Sequence, residues 1–119
     1  MGSANDFAQV YDEILGLSRE AFAERHYVVA FHLLAAALHA AYDLDDETRL
    51  GTVGALIREQ RGWLGMHEQL RDLHELAAPS ASGSGTRSLW DVLDEEEQTR
   101  QRMLVQRRYL RHSTAQEQL

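Results

Sequence analysis

The chain has 119 residues, 44% of them apolar, with 12 basic against 19 acidic side chains and a net charge of −7. That length lets one domain bury its own core without metal or disulfide staples, and the acidic balance works against nucleic acid or an anionic membrane as partner. Cysteine is absent and every basic residue is arginine, which removes disulfides, thiolate metal sites, cysteine nucleophiles, Schiff-base lysines and the lysine of a phosphate-binding loop.

Met1 to Asp6 show no basic region followed by an apolar run, and no stretch reaches the ~18 apolar residues of a membrane span. A cytoplasmic location is the expectation. A first helix is predicted over residues 4–24, opened by the capping oxygens and negative charge of Ser3, Asn5 and Asp6. Phe7, Val10, Tyr11, Ile14, Leu15, Ser18, Ala21 and Phe22 recur at helical spacing and give it a wide apolar face. Gly16, in its middle, costs about 1 kcal/mol against alanine.

The longest apolar stretch, Tyr27 to Tyr42, predicts a buried central helix over residues 27–43. Tyr27, Ala30, Phe31, Leu34, Ala37, Leu38 and Ala41 form its main stripe. The opposite side carries Val28, Val29, Leu33 and alanines, so neighbours are expected on more than one face.

Leu17-Ser18, Ala21-Phe22, Tyr27, Ala30, Leu34 and Ala37-Leu38 together resemble the spacing of one tetratricopeptide repeat, over residues 11–43. The resemblance implies an antiparallel helical hairpin in which a small residue lets the helices cross. Two positions depart from it: Arg25 stands where a turn glycine is usual, and Tyr42-Asp43 where a closing proline is. No second repeat follows, so the hairpin is expected inside a small domain and not in a solenoid. The segment from Tyr27 to Leu44, followed by REQRGWL, is also similar to small bacterial helical proteins built on such a hairpin, a likeness that implies no activity.

A third helix is predicted over residues 46–77, capped by Asp45 or Asp46. Its apolar residues include Leu50, Val53, Ile57 and Leu64. Gly51 and Gly54 share a side and are expected to let the central helix approach, while Gly62-Trp63-Leu64-Gly65 is the expected kink. Residues 79–87, rich in serine and glycine, read as a flexible connector. A fourth helix is predicted over residues 88–112, acidic in its first half and arginine-rich in its second, which complements the helix dipole. Trp90 is its expected anchor onto the hairpin, and residues 113–119 are expected to form a disordered tail. The fold class is all-α: one domain over residues 1–119, a four-helix array.

Six histidines make metal the first chemistry to weigh. His32, His39 and Asp43 share one stripe of the central helix, His39 and Asp43 at a chelating i, i+4 spacing, and His67 and His74 repeat the seven-residue interval. Such donors hold metal in some helical bundles, and a metal- or small-molecule-binding bundle built on this stripe is the alternative function, yet the HExxH and ExxH motifs that specify a site are missing. Catalytic signatures are missing too: no glycine-rich phosphate loop and no GxSxG, while Asp94 to Glu97 reads as a solvated acidic face. Neither an enzyme nor a cofactor is expected.

Protein binding is the favoured reading. The tetratricopeptide resemblance implies a groove along the first helix with Asp12, Leu15, Arg19, Phe22 and Ala23, where charge flanks an apolar anchor. On the fourth helix Met103, Leu104, Val105, Tyr109 and Leu110 lie among arginines and offer a surface to a protein partner or to a second copy in a homodimer. Glu96 with Arg100, and Glu97 with Gln101, are expected pairs within that helix.

Overall fold

In the computed structural model the described residues are 4–67, 77–78 and 87–117. Four helices carry the fold: α1 (Ala4–Ala23), α2 (Tyr27–Asp43), α3 (Glu47–Met66) and α4 (Leu89–Glu117). A two-residue antiparallel ladder, β1 (Ala77–Ala78) with β2 (Arg87–Ser88), precedes α4 and pairs Ala77 with Ser88. The architecture is all-α.

Both turns between the first three helices end the helix in the same way. His26 N–H returns to Ala21 O at 2.8 Å and Asp46 N–H to Ala41 O at 3.2 Å, the long closing bond of a Schellman motif. The residue before each bond is left-handed, Arg25 at φ 68° and Asp45 at φ 56°. Arg25 thus adopts the conformation for which glycine is preferred. Asp46 caps α3 by accepting the N–H of Arg49 at 3.0 Å.

The helices alternate in direction. Ser18 Oγ donates to Ala30 O at 2.9 Å, which sets the antiparallel register of α1 and α2. α3 returns beside α1, with Tyr11 OH donating to Arg49 O at 2.8 Å near one end and Phe22 edge-on to Trp63 at 5.5 Å near the other. α4 runs against α3 and packs on α2. Tyr11, Leu34, Leu38, Leu50, Ile57, Trp90 and Leu104 are sealed at the centre, each buried side chain contributing roughly 1.5–3 kcal/mol. Trp90 reaches Phe31 edge-on at 5.5 Å, so the expected anchoring of α4 on the hairpin is observed.

Two boundaries differ from the sequence reading. α3 passes unbroken through Gly62 and Gly65 and ends at Met66, where residue 77 was expected. Neither glycine has an atom within 4 Å of its Cβ position and Met66 is exposed, so past Trp63 and Leu64 little packing offsets the propensity cost. The expected connector at 79–87 lies outside the described residues, except for Arg87. α4 continues to Glu117, past the expected end at 112.

Gly51 and Gly54 serve a different neighbour from the expected one. A Cβ on Gly54 would lie 2.5 Å from the Glu97 carboxylate and one on Gly51 3.6 Å from Gln101, so both make room for α4 and not for the central helix.

Candidate interaction surface

The polar groups inside the fold tie the helices together. Trp90 Nε1–H donates to Gln60 Oε1 at 3.0 Å, and Gln60 Nε2 donates to Ser18 Oγ at 3.4 Å. Ser18 in turn donates to Ala30, so one buried chain of hydrogen bonds touches all four helices. Each link satisfies a group whose isolation would cost about 1–3 kcal/mol.

Beside it lies an ion-pair ladder between α3 and α4. Arg58 Nη1 stands 3.0 Å from Asp94 Oδ1 and 3.5 Å from Glu97 Oε2, and Arg61 Nη1 is 2.8 Å from Asp94 Oδ2. Asp94 and Glu97 are buried. The solvated acidic face expected at residues 94–97 therefore holds only for Glu95 and Glu96. The two others turn inward because they fall, with Trp90 and Leu93, on the side of α4 that meets α3. The pairs expected within α4 are present, Glu96 with Arg100 and Glu97 with Gln101, both at 3.3 Å.

The arginines further along α4 grip the α2–α3 turn. Arg100 and Arg107 stack over the Tyr42 ring, 4.8 and 4.6 Å from its centre. Arg111 donates to the Asp45 carboxylate, and Arg108 donates to Asp45 O at 3.2 Å and to Glu47. The hydrogen bond from Arg111 is the main reason that the Asp45 carboxyl titrates below its usual range. The Asp46 carboxyl is also lowered, first by the Arg49 N–H that it caps. Burial pushes the Tyr11 phenol up to about 12.

Among the described residues, exposed apolar side chains gather on α4 and on the hairpin, with Trp63 and Met66 at the end of α3 besides. On α4, Met103, Val105, Tyr109 (70% exposed) and Leu110 (56% exposed) face away from the core. Met103 and Leu110 are seven residues apart and share one side, whereas Tyr109 sits with Val105 roughly a third of a turn away. Val105 and Tyr109 line a shallow open groove of about 500 Å³ with Glu47, Gln101, Arg102 and Gln106. The second place is the hairpin, where Phe7, Val10 and Leu17 of α1 and Val28 and Val29 of α2 are exposed.

The expected α1 groove is dissolved by the packing. Asp12 and Arg19 are exposed, but Leu15 is buried in the core and Phe22 lies edge-on to Tyr27 at 5.1 Å and to Trp63. Leu15 is thus spent inside the molecule, and Phe22, half-buried, is engaged by its aromatic neighbours.

His32, His39 and Asp43 are all exposed. His39 Nε2 meets Glu96 Oε1 at 3.3 Å, and among the described residues no group of three His, Asp or Glu side chains is placed to hold a metal ion. His67 stacks on Trp63 at 3.9 Å, and His74 lies outside the described residues.

The exposed Val10 and Leu17 escaped the sequence reading because they extend an apolar face that looked uniformly inward. The width of that face, broader than one neighbour covers, was the available signal. No helix among the described residues is long and apolar enough to cross a membrane. Compared with known proteins, the chain matches no family model, no curated protein and no solved structure at a significant level.

Proposed function

We propose that this chain is a non-catalytic protein–protein interaction module that self-associates through the outer side of α4. The observation that carries the reading is the exposure of Met103, Val105, Tyr109 and Leu110 on a helix whose inner side is held by Trp90, Leu93, Leu104 and the arginine grip on Asp45. A rigidly mounted helix presents its outer side at little ordering cost, which favours association.

The spacing supports a two-fold partner. About a centre near residue 101, an antiparallel pair of α4 helices sets Val92 opposite Leu110 and Thr99 opposite Met103. The same symmetry brings the acidic first half of one helix beside the arginine-rich second half of the other. Such an interface is isologous, as closed dimers require.

The proposal includes the tetratricopeptide-like character of the hairpin, for which Ser18 against Ala30 at the helix crossing is the support. It also includes a cytoplasmic location and a protein partner in preference to nucleic acid, since a net charge of −7 repels phosphate.

The test is size-exclusion chromatography with light scattering on the full chain and on Met103→Glu/Leu110→Glu. Removing α4 altogether is unsuitable, because it would strip Trp90 and Leu104 from the core. A wild-type dimer that becomes a folded monomer in the double variant supports the reading. A wild-type monomer at sub-millimolar concentration overturns it.

A further inference from the structure

The hairpin has an outer side, turned away from α3 and α4, that no described element covers. On α2, Phe31 and Tyr42 face α4 while Ala30 and Ala37 are buried toward α1. Val29, Leu33 and Ala36 therefore come next around that helix, on the flank beyond α1. On α1, Tyr11 and Phe22 face α3, which leaves Val10 and Leu17 on the flank beyond α2. With Ser18 against Ala30, the antiparallel register lays these two flanks side by side, Leu17 near Val29 and Leu33, and Val10 near Ala36.

The result is a shallow apolar furrow about two turns long. Leu33 is half-buried at its floor, and Val10 (43% exposed), Leu17 (50%) and Val29 (53%) form its walls. Its α1 edge is acidic: Glu13, Glu20 and Glu24 follow Val10 and Leu17 around the helix and are exposed. Arg19, by contrast, lies on the opposite flank of α1 with Asp12. Apolar floor, open ends and a rim of one charge sign select the occupant.

We propose that this outer side is a docking furrow for an amphipathic helix that carries arginine or lysine beside its apolar face. The apolar residues of such a helix, at i, i+3, i+4 and i+7, seat between α1 and α2, and its cations meet Glu13 and Glu20. Charge complementarity of this kind fixes register and raises the association rate, and salt screens it. A second copy is a poor occupant, because a two-fold pairing sets the acidic rim either against itself or against the partner's α2 edge, and α2 carries no arginine. The furrow shares no residue with the outer side of α4, so its test stands apart from that of self-association.

The probe is a fluorescent synthetic 21-residue amphipathic helix with leucine at the seam positions and arginine at the flanks. Two controls accompany it: the same peptide with glutamate flanks, and an arginine-bearing peptide of identical composition with its leucines scrambled. Fluorescence anisotropy against the full chain is expected to show binding of the first and at least tenfold weaker binding of both controls. Leu17→Ser/Val29→Ser is expected to lower affinity at least tenfold. Glu13→Gln/Glu20→Gln should lower it several-fold and flatten its salt dependence. Glu59→Gln, exposed on α3 and remote from both the furrow and the outer side of α4, should leave binding unchanged. All substituted positions are exposed, and circular dichroism verifies that each variant is folded. Equal binding of the scrambled peptide, or binding indifferent to Leu17→Ser/Val29→Ser, overturns the proposal. So does a change of oligomeric state on Leu17→Ser/Val29→Ser without loss of peptide binding, which would make a second copy the occupant.

Discussion

Gly54 and Gly62 lie on the same helix, and alanine at each is expected to change stability in opposite directions. Alanine in a helix interior gains about 1 kcal/mol over glycine from propensity alone. At Gly62 no atom lies within 4 Å of the new methyl group, so Gly62→Ala keeps that gain. At Gly54 the methyl group would sit 2.5 Å from Glu97 Cδ and Oε1, against a comfortable contact of about 3.5–4.0 Å. The carboxylate must therefore move by roughly 1 Å or more. It has nowhere easy to go, because Glu97 is buried, accepts from Gln101 Nε2 at 3.3 Å and lies 3.5 Å from Arg58. Overpacking costs about 1–3 kcal/mol and a weakened charge-assisted bond about 1.5–3 kcal/mol. Net of propensity, Gly54→Ala should destabilise by roughly 1–3 kcal/mol. Thermal and urea denaturation report both, with about 4 °C of melting temperature per kcal/mol in a domain of this size. The obstacle is testable too: in a Glu97→Ala background Gly54→Ala should be neutral or stabilising. If Gly54→Ala raises the melting temperature as much as Gly62→Ala does, the close approach of α3 and α4 at Glu97 is wrong.

Gln60→Leu keeps an apolar side chain of similar reach but orphans the Trp90 N–H, so it should cost about 1–3 kcal/mol, with a shift in Trp90 fluorescence; an unchanged urea midpoint would contradict the buried hydrogen-bond chain. Asp45 and Asp46 have folded-state carboxyls below the ordinary value of 3.8. A depressed carboxyl stabilises the fold above its unfolded pKa, and that contribution is lost as pH falls through the folded value. Unfolding followed from pH 6 downward should accordingly show the loss below about pH 4. Asp45→Asn/Asp46→Asn should flatten that acid limb, and Asp46→Ala alone should cost about 1 kcal/mol at neutral pH through the lost cap. An acid limb of undiminished slope in the double variant would refute the assignment.

Periodicity and punctuation in the sequence determine four helices, the hairpin and the buried stripe of α2. These are local properties: apolar residues at helical spacing and polar caps act within a few residues of themselves. The inward placement of Trp90 was legible because a lone large aromatic among acids has little other use. The pairs Glu96–Arg100 and Glu97–Gln101 were legible for the same reason, each spanning a single turn.

Only the tertiary structure decided which side of each helix met which neighbour. Leu15 and Leu17 are two residues apart and equally apolar, yet Leu15 is core and Leu17 is surface, because α2 and α3 cover one flank of α1 and leave the other open. Asp94 and Glu97 look like any surface acid until α3 brings Arg58 and Arg61 across from them and Gly54 leaves a hollow for the carboxylate. The expected groove at Asp12, Leu15, Arg19 and Phe22 gave way for the same reason: its apolar half was claimed by Tyr27, Trp63 and the core. Helical spacing repeats on every side of a cylinder, so a sequence sets which residues share a side, while the side that is buried depends on contacts between residues far apart in the chain.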